Sequence, residues 1–73
     1  MVKKETHPEI GERIRNLREL KNIDQMSLAE MLGYKSQSTI SKWESGTNLP
    51  TGKKLMELAK ILGVSTNEIL GMS

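Results

Sequence analysis

Gln37, Ser38, Thr39, Ser41 and Lys42 place an amide, three hydroxyls and an ammonium group within six consecutive positions. Such groups donate and accept hydrogen bonds, and no His or Asp stands beside them to activate a hydroxyl, so the chemistry on offer is recognition rather than bond making. The apolar residues of the same stretch, Ile40 and Trp43, stand three apart, the spacing of one buried helix face. The polar positions then share the exposed surface. That surface is poor in the Glu/Lys pairs that usually solvate a helix, and Ser and Thr are indifferent helix formers. A helix that gives up stability for such residues is using them. The edges of base pairs in the major groove of DNA offer matching donors and acceptors: Gln37 suits bidentate pairing with adenine, Lys42 suits donation to guanine, and Ser38, Thr39 and Ser41 suit bases or phosphates.

The distribution of charge points the same way. Eleven Lys and Arg against nine Asp and Glu leave a net charge of only +2, which decides little by itself. The acids gather towards the ends, however. None lies between Met31 and Trp43, where Lys35 and Lys42 sit, or between Ser45 and Met56, where Lys53 and Lys54 sit. Glu44 alone separates the two acid-free stretches. Lys53 and Lys54 open a helix, where positive charge is mildly unfavourable against the macrodipole; a phosphate contact and plain solvation are both open for them. Arg13 and Arg15 are expected to be solvated, and Met26, Met31 and Met56 to pack in or near the core.

Several functions are excluded or disfavoured. There is no cysteine and a single histidine, His7, so neither a thiolate nor a His-pair metal site is available. No metal and no cofactor is expected. Tyr34 and Trp43 are the only aromatics, too few for a module that reads single strands by stacking. The segment from Gly46 to Gly52-Lys53-Lys54 loosely resembles a phosphate-binding loop, but its spacing is wrong, Lys54 stands where Ser or Thr is needed, and no strand precedes it. No paired carboxylates and no Ser/His/Asp set stand out, so no enzyme is expected. No apolar run is longer than two residues, and the N-terminus lacks the apolar core of a signal peptide. The expected compartment is the cytoplasm.

At 73 residues the chain has room for one domain. Residues 1–8 read as a flexible arm and 9–71 as the folded domain. Ile10, Ile14, Leu17 and Leu20 trace one stripe of a first helix over 9–22, with Asn22 as its stop. Asp24 is a good N-cap for a short second helix whose apolar face is Leu28, Met31 and Leu32, with Ala29 beside it; Gly33 ends it. A third helix runs over 37–45, capped by Ser36 or a neighbour and ended by Gly46. Thr51 caps a fourth, with Leu55, Leu58, Ala59 and Leu62 inward and Gly63 at its end. Ser65 and Glu68 stand at capping-box spacing and start a fifth over 66–70, closed by Gly71. The expected fold class is all-α, a compact five-helix bundle. Its second and third helices, joined by about three residues, form a helix-turn-helix, in which the second member lies in the major groove.

Leu28-Ala29-Glu30, Gly33, Ser38-Thr39-Ile40-Ser41-Lys42-Trp43-Glu44-Ser45-Gly46 and Leu49-Pro50 closely resemble the Cro/cI-type helix-turn-helix (XRE) family. The likeness continues through 58–65 and Glu68-Ile69-Leu70, and reaches back to Leu17-Arg18 and Ile10-Gly11. It implies a lambda-repressor-like DNA-binding domain. By the same resemblance, Gln37 and Ser38 open the recognition helix and read bases, with Lys42 one turn later. Gln25 matches a phosphate contact, and Ser45, Thr47 and Asn48 match a loop that touches the DNA backbone. Arg18 and Glu44 match a partly buried salt bridge. Small members of the family dimerise through the loop before the fourth helix and through the last helix, here Leu49, Pro50, Met56, Asn67, Leu70 and Met72. One departure is visible: from Gly33 to Ile40 there is one residue more than the common pattern. If the turn absorbs it, the register holds; if the helix start absorbs it, Ser36 shares the leading role and Gln37 shifts. Tyr34, Lys35 and Ser36 reach phosphates either way.

The expected function is a sequence-specific regulator of transcription on double-stranded DNA, a repressor binding a palindromic operator as a homodimer. The alternative is a protein-interaction module, or an antitoxin or controller-type regulator that acts with a partner protein.

Overall fold

Pro8 occupies the start of the first helix, where its missing N–H costs nothing. The computed structural model describes residues 6–72. Residues 1–5 of the expected arm lie outside that range. Helix α1 (Pro8–Leu20) begins one residue earlier than expected and buries Ile10, Gly11, Ile14 and Arg18. Leu20 does not join the stripe: it is 78% exposed. Ile10, Ile14 and Arg18 follow each other at four-residue steps, and Leu20 sits about 200° round the helix from Arg18. The apolar pattern therefore drifts off the buried face at the end of α1, and an arginine takes the place it leaves. Asn22 stops the helix by adopting a left-handed conformation, φ 56°, which asparagine tolerates better than most residues.

The Asp24 carboxylate accepts the Ser27 N–H at 2.7 Å and caps α2 (Gln25–Met31). Leu28, Ala29 and Leu32 are buried, while Met31 is exposed rather than part of the apolar face. The bonds from Ser27 hold the Asp24 carboxyl below the usual carboxylate range. A depressed folded-state pKa stabilises the fold at neutral pH, and that contribution is lost as pH falls through it. The acid limb of the melting temperature against pH should therefore be shallower in Asp24→Asn. A limb of unchanged steepness would show that this cap plays no part in acid sensitivity.

Helix α3 (Ser38–Glu44) starts after a connection that runs over residues 32–37, longer than the expected three or so. Gln37 holds the N-cap position and helical structure begins at Ser38, so the turn carries the extra length. Gly33 makes this turn possible at φ +86°. Ile40 and Trp43 face inward. Helix α4 (Gly52–Leu62) buries Leu58, Ala59 and Leu62; Thr51 stands at its N-cap, but its side chain makes no cap bond. Helix α5 (Thr66–Leu70) carries the full capping box between Ser65 and Glu68. It contributes Ile69 to a core formed by all five helices. No strand occurs among the described residues.

Two glycines let elements meet backbone to backbone. A Cβ on Gly11 would stand 2.5 Å from the Trp43 carbonyl oxygen and closer still to that of Glu44, so α1 crosses α3 where no side chain fits. Just beyond α3, a Cβ on Gly46 would meet the Pro8 nitrogen at 2.6 Å, and His7 N–H donates to the Gly46 carbonyl at 2.9 Å.

Candidate nucleic-acid interface

Because Ile40 and Trp43 hold one side of α3 in the core, the opposite side is fixed outward. Ser38, Ser41 and Lys42 lie on it exposed, with Gln37 immediately before and Ser45 immediately after. Thr39 is half-buried on the flank. These are the residues whose types suit base edges, and the fold brings them onto one continuous surface.

The turn ahead of the helix is tied to it. Ser36 Oγ lies 2.7 Å from Ser38 Oγ and accepts the Ser38 N–H at 3.4 Å, from the position before the Gln37 N-cap. Lys35 and Ser36 are exposed. Tyr34 is half-buried, its ring edge-on to Trp43 with centroids 6.1 Å apart. Lys54 Nζ sits 4.9 Å from the Tyr34 ring centroid and donates to the Leu32 carbonyl. It also pairs with Glu57 at 3.3 Å. Lys54 is therefore a clamp that joins α4 to the turn, by an attraction of cation to ring face and by satisfying a carbonyl at the end of α2. Sequence spacing holds no sign of it.

After α3 the chain folds over the Lys42 carbonyl. Thr47 N–H and Asn48 N–H donate to it at 3.0 and 3.2 Å. Ser45 Oγ donates to the same oxygen at 3.0 Å and lies 2.8 Å from Thr47 Oγ1. This leaves the Thr47 and Asn48 side chains exposed at the end of α3.

Beneath this surface lies an ion pair. Arg18 Nε donates to Glu44 Oε2 at 2.6 Å, its second donor reaches Oε1 at 3.2 Å, and a third goes to the Ile23 carbonyl at 2.6 Å. The Glu44 side chain is only 3% exposed. Its hydrogen bonds raise the Arg18 pKa further above an already high value. The one acid between the two acid-free stretches is thus turned inward and neutralised, so it does not interrupt the basic surface. Gln25, expected at a phosphate, is half-buried and gives an amide N–H to Glu44 Oε1 at 3.0 Å. Arg15 Nε lies 3.7 Å from the same oxygen.

Other assignments change. Arg13, expected to be solvated, donates to the Ile69 carbonyl at 3.0 Å and its guanidinium lies over Gly71, fastening α5 to α1. Of the residues expected at a dimer contact, Met56, Asn67 and Met72 are exposed and Leu49 and Leu70 half-buried. Pro50 is buried within this chain, because the loop before α4 turns it inward. An open groove beside Leu20, lined by Asn16 and Glu19, includes none of the candidate residues. No helix of the described residues is long and apolar enough to cross a membrane.

The helix-turn-helix family model matches residues 14–69. The HTH-type transcriptional regulator DicA of Escherichia coli (strain K12) is 46% identical over 61 residues, 84% of this chain and 44% of the relative. The P22 c2 repressor, solved in complex with a synthetic operator, is similar at 38% identity and a TM-score of 0.77 over 82% of this chain and 89% of that one. Repressor protein C2 belongs to Salmonella phage P22. Hydroxypropylphosphonic acid epoxidase from S. wedmorenis contains a similar fold, with 28% identity and a TM-score of 0.77, over 92% of this chain but 35% of the enzyme. The chain spans between 28% and 55% of the length of the curated relatives it matches.

Proposed function

The chain belongs to the helix-turn-helix family, and from that membership we propose that it is a sequence-specific regulator of transcription that sets α3 into the major groove of double-stranded DNA. The observation that carries this is the outer face of α3: exposed, hydrogen-bonding, flanked by lysines and free of acid because Glu44 points inward. Gln37, Ser38, Ser41 and Lys42 read base edges, with Thr39 at the margin. Gln25, Tyr34, Lys35, Ser36, Ser45, Thr47 and Asn48 contact the backbone. A domain of this size reads only a few base pairs, so useful specificity calls for two half-sites about one helical turn apart. The chain acts as a homodimeric repressor on a palindromic operator in the cytoplasm, with Leu49, Met56, Asn67, Leu70 and Met72 at the contact between copies. The regulator and repressor names of its relatives and the operator bound to the P22 protein support this reading.

Selection from a random duplex library at near-physiological salt tests it. A recovered palindrome supports the dimeric reader, single half-sites remove the dimer, and no enrichment removes sequence reading. Gln37→Ala should then cost about 1–3 kcal/mol and relax preference at one base pair, and Lys42→Ala should do the same at a second. Equal weakening on every sequence would move the residue concerned from base reading to backbone contact. A similar fold is also part of an enzyme, the epoxidase, so the fold alone does not fix DNA binding: if α3 instead bound a protein partner, binding to DNA would lack the steep salt dependence of phosphate neutralisation.

A further inference from the structure

The charges around Glu44 do not balance. Two guanidinium groups, Arg15 and Arg18, approach one carboxylate. Arg18 is spent there: it is buried, doubly bonded to Glu44, and bonded again to the Ile23 carbonyl. Arg15 stands differently. Its side chain is 59% exposed, and its Nε is 3.7 Å from Glu44 Oε1, beyond the range of a hydrogen bond. That oxygen already accepts from Arg18 and from Gln25. Glu12 and Glu19 lie about one turn to either side of Arg15 on α1, yet among the described residues neither pairs with it. Glu44 thus carries one negative charge for two guanidinium groups, and the surplus positive charge stands at the surface on Arg15, beside Gln25.

A guanidinium presents a planar fork of donors that matches phosphate oxygens. We infer that Arg15 is a further phosphate-contacting residue, which with Gln25 grips the DNA backbone from the α1 side of the interface. The assignment rests on the DNA reading above. Glu44 has two parts in it: it neutralises Arg18 in the interior, and it holds the Gln25 amide and the Arg15 head side by side.

The test is the salt dependence of affinity for the selected duplex and for an unrelated one, followed by fluorescence anisotropy. In Arg15→Gln the slope of log affinity against log salt should become shallower by roughly 0.9, the value for one phosphate. The loss should be the same on both duplexes, because a backbone contact carries no sequence information. Arg15→Lys should keep the parent slope, and the melting temperature of both variants should match the parent. An Arg15→Gln slope equal to that of a salt-sensitive parent overturns the assignment alone, whether or not the melting temperature falls. A parent without salt-dependent DNA binding overturns the DNA reading and the assignment with it.

Discussion

Glu44→Ala should lower the stability of the folded chain by about 3–5 kcal/mol, the cost of leaving a buried charge without its partner. Small domains have only about 5–15 kcal/mol in all, so a large fraction of the variant should be unfolded at temperatures where the parent is native. The reason lies in what Arg18 would lose. Two of its three hydrogen bonds go to Glu44, and it sits in the helix face that Ile10 and Ile14 bury. With only 10% of its side chain exposed, Arg18 has little access to water that could replace the carboxylate. The midpoint of urea unfolding measures the effect, with an unchanged slope showing that the unfolded state is the same. Arg18→Met combined with Glu44→Leu should recover much of the loss, because removing both charges removes the desolvation cost as well. A single variant as stable as the parent would show that solvent reaches the pair.

Gly11→Ala should also destabilise, although helix propensity alone predicts the opposite. In a helix interior alanine is favoured over glycine by about 1 kcal/mol. Here the added methyl meets the carbonyl oxygens of Trp43 and Glu44. Both are backbone atoms, so relief requires α1 and α3 to separate. Overpacking of this kind costs typically about 1–3 kcal/mol and occasionally more, and a clash with backbone belongs at the upper end. The net expectation is a fall in melting temperature on the order of 10 °C. A rise would mean that the two helices stand further apart than described. DNA affinity should fall with it, since the same crossing sets α3 against the rest of the fold.

What is legible in the residue order is what is settled within a few positions. The Asp24 cap, the Ser65–Glu68 box and the glycine stops at 33, 63 and 71 each satisfy their own local backbone, and all appear as expected. Ile40 and Trp43 fix which side of α3 faces out, so the composition of that surface is readable before the fold is known. Leu20 and Met31 mislead because apolar spacing of three to four residues does not say which side is covered: Leu20 stands about 200° round α1 from the buried Arg18, and Met31 is exposed at the end of α2. Arg18 enters through the family resemblance alone, although its four-residue step from Ile14 was a usable signal. Arg13, Arg15 and Lys54 are not legible at all. Their partners at Ile69, Glu44 and Leu32 stand far away in the chain, and periodicity carries no information about them.

The chain has a single tryptophan, and its position gives the protein a built-in optical probe. Trp43 is buried, with the Tyr34 ring against it, on the side of α3 turned away from the proposed DNA face. Its emission therefore reports a dry, packed environment and shifts to longer wavelength when water enters. A nucleic acid lying on the opposite side of the helix leaves that environment in place. One wavelength thus follows folding while a label on the duplex follows binding, in the same cuvette, and a Tyr34 contact to the backbone would be the one route by which binding reaches the tryptophan. Every substitution discussed above can then be sorted into loss of fold or loss of grip.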